Sequence, residues 1–185
     1  MTTTAPTPLL TVPGLDGPVC ADGVCTIRTP TNDKETLVSS TISAVDPALR
    51  FEMLDLVTRY ATAIDIRDWD LFRSAFADNA EVDFGHAIGS WSDADSFTAF
   101  MRDTHQPAGR TQHRMSNTVI TGTDPLTART YGDAIVLEAD NTKGTIGTAW
   151  YDDEFVRTED GLKIARRRTS MVLYTPVGPN LAANM

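Results

Sequence analysis

The sequence has few basic residues and no long apolar run. It carries 16 lysines and arginines against 25 aspartates and glutamates, which gives a formal charge of −9 at pH 7. Nucleic-acid binding and attraction to anionic membranes both need clustered basic side chains, so this balance argues against either kind of partner. No apolar stretch approaches the roughly 20 residues that span a bilayer. We therefore expect a hydrophobic small molecule as the partner.

Export signals, cysteines and cofactor motifs are also scarce. The opening MTTTAPTPLL has neither a basic region nor an apolar core, so we expect a cytoplasmic protein. The only cysteines, Cys20 and Cys25, lie in an irregular stretch, where we expect reduced thiols rather than a local disulfide. Neither has a partner at zinc-ligand spacing, and the sequence has no glycine-rich phosphate loop and no Gly-x-Ser-x-Gly elbow. No cofactor and no metal are predicted.

Three regions differ in composition. Residues 1–45 are rich in Thr, Pro, Gly and Ser and bury too little to order themselves, so we interpret them as an extension that is flexible or drapes over another subunit. Residues 46–176 carry the periodic patterns of a folded domain, and 177–185 form a short tail.

The folded region begins with helices and ends with strands. Asp46-Pro47 predicts a helix start, followed by an apolar stripe. Further helices are predicted at DWDLFRSAFA and after a Ser92 cap, with a broken strand, EVDFGHAIGSW, between them. Four strand-length runs follow from about residue 110, separated by turn signals such as Asp160-Gly161. This order predicts an α+β fold with a curved antiparallel sheet that encloses a pocket against the helices.

Asp65 is a carboxylate on an apolar stripe. Leu54, Val57, Ala61 and Asp65 fall at helical spacing, so Asp65 is expected to face the core, where a carboxylate needs a partner. The alternative is that Asp65 lies at the helix end and meets solvent or Arg67.

His113 is an imidazole on the more apolar face of a predicted strand, together with Thr111, Met115, Asn117 and Val119. One interpretation is a core histidine bonded to the backbone or to Asn117. The other is a general base, because a carboxylate on one ring nitrogen would fix the tautomer and leave the second nitrogen free to take a proton.

Several further residues are candidates for the same pocket. Tyr60 could donate a hydrogen bond to a substrate carbonyl, or simply lie at the core rim. One arginine of the last strand could hold an anionic group, with Arg168 preferred over Arg166; ion pairs with neighbouring acidic residues are the alternative. Candidates for substrate binding, each of which could equally be plain core, are Phe84, Trp91, Phe100, Met115, Asn117 and Trp150.

The other two histidines are weaker candidates. A metal site of His86, His113 and Asp65 is formally possible, but no ligand-spaced pair supports it. His105, near the end of a predicted helix, is interpreted as a surface residue.

At these residues the chain resembles the SnoaL-like branch of the nuclear transport factor 2-like superfamily. The resemblance lies in YATAIDIRDWDLFRSAFADNAEVDF, in the His-x-x-x-Asn strand formed by His113 and Asn117, and in DGLKIARRR. Scytalone dehydratase, bile acid 7α-dehydratase and hexachlorocyclohexane dehydrochlorinase belong to this group, and they are cofactor-free lyases with an Asp–His pair. The resemblance implies a cone-shaped half-barrel, catalytic roles for Asp65, His113 and Tyr60, a last-strand arginine in the site, and a dimer or trimer.

These observations predict a cofactor-independent lyase of the dehydratase type, acting on a hydrophobic hydroxylated or carbonyl-bearing molecule such as a polyketide or steroid. A cyclase or isomerase using the same pair is the first alternative. The second is a non-catalytic binding module, in which Asp65 and His113 would not touch. The superfamily hosts all three, so the fold alone does not decide the reaction.

Overall fold

The computed structural model describes residues 19–21, 24–26 and 45–179. The chain divides into two units, residues 1–39 and 40–185. In the first, strands β1 (Val19–Ala21) and β2 (Val24–Thr26) pair antiparallel, with Cys20 opposite Cys25 along the backbone. The predicted character of residues 1–45 and the state of the two thiols lie otherwise outside the described residues, as do residues 180–185. The predicted domain boundaries stay predictions.

The second unit begins with helix α1 (Pro47–Ile66). The Asp46 carboxylate accepts a hydrogen bond from the Ala48 N–H at 2.9 Å, which caps the first turn as the sequence predicts. The helix ends at Arg67, whose left-handed backbone (φ 61°) directs its N–H back to the carbonyls of Ala63 and Ile64. Asp65 therefore lies in the last helical turn.

Two shorter helices follow. Helix α2 (Trp69–Ser74) is capped by Asp68, and helix α3 (Ala94–His105) by Asp93, whose carboxylate accepts from the Ser96 N–H. The predicted Ser92 cap was wrong by one residue. The second helix is also shorter than predicted, because the chain already enters a strand at Phe76.

Six strands form one unclosed sheet in the second unit. Their bounds are β3 Phe76–Asp83, β4 Ser90–Trp91, β5 Thr111–Thr123, β6 Leu126–Leu137, β7 Gly144–Thr158 and β8 Gly161–Val177. The order across the sheet is β4-β3-β8-β7-β6-β5, with every pair antiparallel except β3–β8. The predicted α+β fold with a curved sheet and N-terminal helices is confirmed, and one parallel pair is an addition to it.

The core lies between the helices and the inner face of the sheet. Tyr60 of α1, Phe72 of α2, Phe76 of β3 and Phe97 of α3 are almost fully buried, and their neighbouring ring centroids lie 5.3–5.9 Å apart. Tilted and edge-on contacts at this spacing are the favoured arrangements of aromatic pairs. This cluster anchors α1 and thereby sets the position of its last turn.

A bulge in β5 changes which residues face inward. Asn117 has a left-handed backbone (φ 49°), and the register with β6 shifts between Ser116 and Val119. Because one extra residue reverses the alternation, Ile120 is buried while Asn117 and Val119 are exposed. The prediction that Asn117 and Val119 share a face with His113 was therefore wrong.

Candidate active site

Asp65 and His113 are brought together where the last turn of α1 packs against the start of β5. The Nδ1 atom of His113 lies 2.8 Å from Asp65 Oδ1, and the His113 backbone N–H donates to Oδ2 at 2.8 Å. The Thr111 hydroxyl donates to Oδ1 at 2.8 Å. The predicted contact is thus present, which is the opposite of what the binding-module alternative predicted.

These hydrogen bonds act on the charge of Asp65. Partial burial is the largest single influence and would raise its pKa, but the bonds from His113 and Thr111 together outweigh it, so the pKa is lowered. Asp65 is therefore an anion at neutral pH. A carboxylate only accepts, so Nδ1 of His113 carries the hydrogen and Nε2 keeps its lone pair. The His113 side chain is 9% exposed.

Arg67 supports this arrangement from behind. Its guanidinium donates to the Thr111 hydroxyl oxygen at 2.9 Å and to the Gly109 carbonyl at 3.0 Å. Because the Thr111 oxygen accepts from Arg67, its own hydrogen is directed to Asp65. Arg67 contacts the backbone oxygen of Asp65 at 3.4 Å rather than the carboxylate, so the alternative in which Asp65 meets Arg67 or solvent is not what the structure has.

A cavity of about 260 Å³ opens beside His113, between α1, α3 and the inner face of the sheet. Among the predicted residues, Tyr60, Phe84, Phe100 and His113 line it. Residues that the sequence analysis did not propose for the pocket include Met101, His105, Gly132, Ala134, Gly147, Ala149, Tyr151 and Met171. Within the described part of the chain, its lining includes no arginine, lysine or carboxylate. The site therefore suits a neutral, largely apolar ligand.

Four predicted binding residues do not line the cavity. Trp91 packs behind the wall, with its ring 4.5 Å from that of Phe100, and Met115 packs against the core. Asn117 is exposed because of the bulge in β5. Trp150 lies on the outer face, where Arg129 stacks over its ring, because its neighbours Ala149 and Tyr151 take the inward positions of β7.

The predicted arginines also point elsewhere. Arg168 and Arg166 are both exposed, and Arg166 pairs with Glu81 and Glu154. The register between β7 and β8 shifts so that Phe155 faces Ile164 while Glu154 faces Arg166. This bulge at Ala165 turns Arg167 inward instead.

Arg167 is fully buried and is held by Asp153. Its Nε and Nη2 atoms donate to the two carboxylate oxygens at 2.8 and 2.7 Å. The guanidinium lies 4.3 Å from the ring centroid of Tyr60 and 4.6 Å from that of Tyr151, the geometry of a cation–π contact. Arg167 does not line the cavity but lies against the rings of two residues that do.

Tyr60 and Tyr151 line the cavity, and their hydroxyl groups interact with each other. Burial, the largest influence, raises the pKa of both phenols, with Arg167 opposing it. Both therefore stay protonated at neutral pH. The alternation Ala149, Tyr151, Asp153, Phe155, all buried, is the signal from which Tyr151 could have been found.

His105 was predicted to be a surface residue, and that was wrong. Its ring lies at the cavity wall with its centroid 5.6 Å from that of His113. Burial, followed by the charge of His113, lowers its pKa to about 4. The sequence signal was its place at the end of an amphipathic helix, eight residues before His113.

His86 is exposed in the turn before β4. In residues 45–179, no group of three or more His, Cys, Asp or Glu side chains is arranged to hold a metal ion. No helix in the described ranges has the length and apolar character needed to cross a membrane.

Comparison with known proteins adds the family. The family described as "SnoaL-like domain" matches residues 48–168. No curated protein is significantly similar to the chain in sequence.

Solved structures share the fold at low sequence identity. A hexachlorocyclohexane dehydrochlorinase (LinA type 2) has a TM-score of 0.63 and 18% identity, over 72% of this chain and 91% of its own. A protein described as an aromatic ring hydroxylase, from Novosphingobium aromaticivorans, has a TM-score of 0.66 and 22% identity, over 72% of this chain and 96% of its own. A protein described as a scytalone dehydratase, from the same organism, has a TM-score of 0.59 and 19% identity, over 77% of this chain and 89% of its own.

Proposed function

The chain belongs to the SnoaL-like domain family, within the nuclear transport factor 2-like superfamily, and on that premise we propose that it is a cofactor-independent lyase of the dehydratase type. Its substrate would be a neutral, hydrophobic, hydroxylated or carbonyl-bearing molecule such as a polyketide or steroid. The observation that carries the proposal is the contact between Asp65 and His113 beside an apolar cavity. The similarity of the fold to a dehydrochlorinase and to a protein described as a scytalone dehydratase supports the same reaction class.

In the proposed reaction, His113 Nε2 removes a proton from a carbon next to the substrate carbonyl. Asp65 holds the ring through Nδ1 and stabilises the imidazolium that forms. Breaking the neighbouring C–O bond then forms the double bond, and the imidazolium returns the proton to the departing hydroxyl, so one water leaves. The atoms balance without a cofactor.

Tyr60 is proposed to donate a hydrogen bond to the substrate carbonyl as negative charge develops on its oxygen. Its hydroxyl stays protonated because the ring is buried, and a preorganised donor of this kind is often the largest catalytic contribution. Arg167 does not take the anion-binding role that the sequence suggested for an arginine. It positions Tyr60 and Tyr151 through their ring faces, while Asp153 neutralises its charge.

The test is turnover of neutral hydroxy-ketones, followed by mass spectrometry. We expect a product lighter by one water, and we expect His113→Ala to reduce turnover by about 10²–10⁴-fold, the usual contribution of a general base. Gln112→Ala is the matched control, because Gln112 neighbours His113 on β5 but is exposed. Full turnover by His113→Ala would refute the mechanism, and a product of unchanged mass would favour the cyclase or isomerase.

A further inference from the structure

We propose that His105 is a second substrate-binding imidazole, whose Nε2 accepts a hydrogen bond from a substrate hydroxyl while remaining uncharged. The proposal rests on the proposed function only in taking the cavity beside His113 as the substrate site. It extends it by requiring a hydroxyl on the substrate near the carbon that loses its proton.

The tautomer of His105 follows from its partners. Nδ1 lies 3.0 Å from the Met101 carbonyl oxygen, which can only accept, so Nδ1 carries the hydrogen of the neutral ring. The Thr104 hydroxyl, 2.9 Å from the same nitrogen, already bonds the Phe100 and Met101 carbonyls. Nε2 is therefore the nitrogen with the free lone pair, and the ring that carries it lies in the cavity wall.

The two imidazoles share this tautomer but differ in what supports a charge. His113 has the Asp65 carboxylate on its Nδ1 at 2.8 Å, whereas His105 has a backbone carbonyl and a hydroxyl there. The charged and titratable groups near His105 are His113 from β5 and Asp65 and Arg67 from α1, and its Nδ1 bonds Met101 and Thr104 of its own helix. Because the His105 ring is half-buried and has no carboxylate on Nδ1, its neutral form is favoured. In this proposal His113 transfers the proton, and His105 accepts a hydrogen bond from the substrate.

The ring spacing sets where the hydroxyl must lie. With centroids 5.6 Å apart, the two rings border the same part of the cavity, and one small molecule spans both. A substrate with only carbonyl oxygens would leave a buried lone pair of Nε2 without a donor, which costs binding free energy. The site should therefore distinguish a hydroxyl from its methyl ether.

The probes for the test are 2-naphthol and 2-methoxynaphthalene, which differ in one hydrogen-bond donor. Wild-type protein is expected to bind the naphthol about tenfold more tightly, the effect of one neutral hydrogen bond. His105→Phe should abolish that preference by weakening naphthol binding alone, and His105→Gln, which keeps an acceptor at the position of Nε2, should restore part of it. His86→Phe, at an exposed histidine, should leave both affinities unchanged.

His113→Phe separates this proposal from the proposed reaction, because it removes the other imidazole acceptor of the cavity. We expect it to lose turnover but to keep the preference for naphthol. A preference that disappears in His113→Phe and survives in His105→Phe would overturn the assignment, as would a wild type that binds both probes equally. On the wild type itself, ¹⁵N NMR should show His105 protonated at Nδ1 at pH 7, with the Nε2 resonance moving on addition of 2-naphthol but not of the ether; protonation at Nε2 would also overturn it.

Discussion

At the scale of single residues, the site depends on how Asp65 uses its two oxygens. One accepts from the His113 ring and from Thr111, and the other accepts from the His113 backbone. The same carboxylate thus fixes the tautomer of the imidazole and the position of its backbone. This double attachment keeps Nε2 aimed at the cavity without a further partner on the ring.

Replacing Asp65 by Asn should lower kcat by about 10²–10⁴-fold, because an amide neither stabilises the imidazolium nor enforces the Nδ1–H tautomer. Steady-state kinetics of the dehydration reaction checks this, and circular dichroism establishes that the variant is folded. Asp70→Asn, at an exposed position of α2, should retain wild-type kinetics. An Asp65→Asn protein that is folded and fully active would remove Asp65 from the mechanism.

The lowered pKa of His105 makes stability depend on pH. Its pKa is about 4 in the folded state against 6.5 when unperturbed, so between these values the unfolded chain binds the proton and the folded chain does not. The free energy of unfolding should therefore fall as pH decreases from about 6.5 to about 4, by up to about 3 kcal/mol. The contribution of Asp65, whose pKa is lowered from 3.8, is lost only below this window.

Urea unfolding at pH 7.5, 6 and 5 measures how steeply the free energy of unfolding changes with pH. His105→Phe should flatten it within this interval, and His86→Phe should not. If both variants keep the wild-type slope, His105 is not a buried neutral imidazole.

At the scale of elements, two bulges explain which candidate residues the sequence analysis placed on the wrong face. One is at Asn117 in β5 and the other at Ala165 in β8. Each shifts the alternation by one residue, so a prediction that counts every second residue is right before the bulge and wrong after it. This is why His113 was placed correctly whereas Asn117 and the arginine were not.

The side chains of Tyr151 and Met115 leave no room for a Cβ at Gly132. A Cβ there would lie 2.7 Å from Cε2 of Tyr151 and 3.2 Å from Sδ of Met115. Gly132→Ala should therefore displace the Tyr151 ring and reduce the free energy of unfolding by about 1–3 kcal/mol, the usual cost of overpacking.

Gly147→Ala is the matched comparison, because it also adds a methyl group to the cavity wall. Its Cβ would meet Tyr174 Cδ2 at 3.5 Å, an ordinary contact, so its stability should stay near that of the wild type. Urea unfolding of both variants is the measurement. Equal stability of the two would show that the wall around Tyr151 adapts more readily than the distances imply.

At the scale of the whole molecule, a strongly negative net charge contrasts with a described cavity lining that has no arginine, lysine or carboxylate. The chain has a net charge of −9, and Arg167, which lies against the Tyr60 and Tyr151 rings of the cavity wall, is neutralised by Asp153. An anionic ligand would lose its hydration, find no cation in the described lining, and enter against the field of the protein.

We therefore expect 2-naphthoate to bind at least about tenfold more weakly than 2-naphthol at pH 7.5. Added salt should reduce the difference in affinity between the two ligands, because it screens the negative field of the protein, while the affinity for naphthol stays constant. Isothermal titration calorimetry at two ionic strengths checks both expectations. Tighter binding of the naphthoate would reveal a cation in the site and would return the anion-binding role to an arginine.

The sequence by itself determined the α+β class, the helix start at Asp46-Pro47, the four long strands and the candidate pair of Asp65 and His113. Each of these follows from local periodicity, capping chemistry or a polar residue on an apolar face. Such signals depend only on residues that are close together in the sequence. No such local signal predicts the parallel pairing of β3 with β8.

Only the tertiary structure decided that His105 and Tyr151 line the cavity, that Arg167 rather than Arg168 turns inward, and that Thr111 and Arg67 support Asp65. The physical reason is that bulges and the packing of α1 and α3 on the sheet arise from contacts between residues distant in sequence. A one-residue shift in a strand reverses the direction of every later side chain while leaving the apolar pattern almost unchanged.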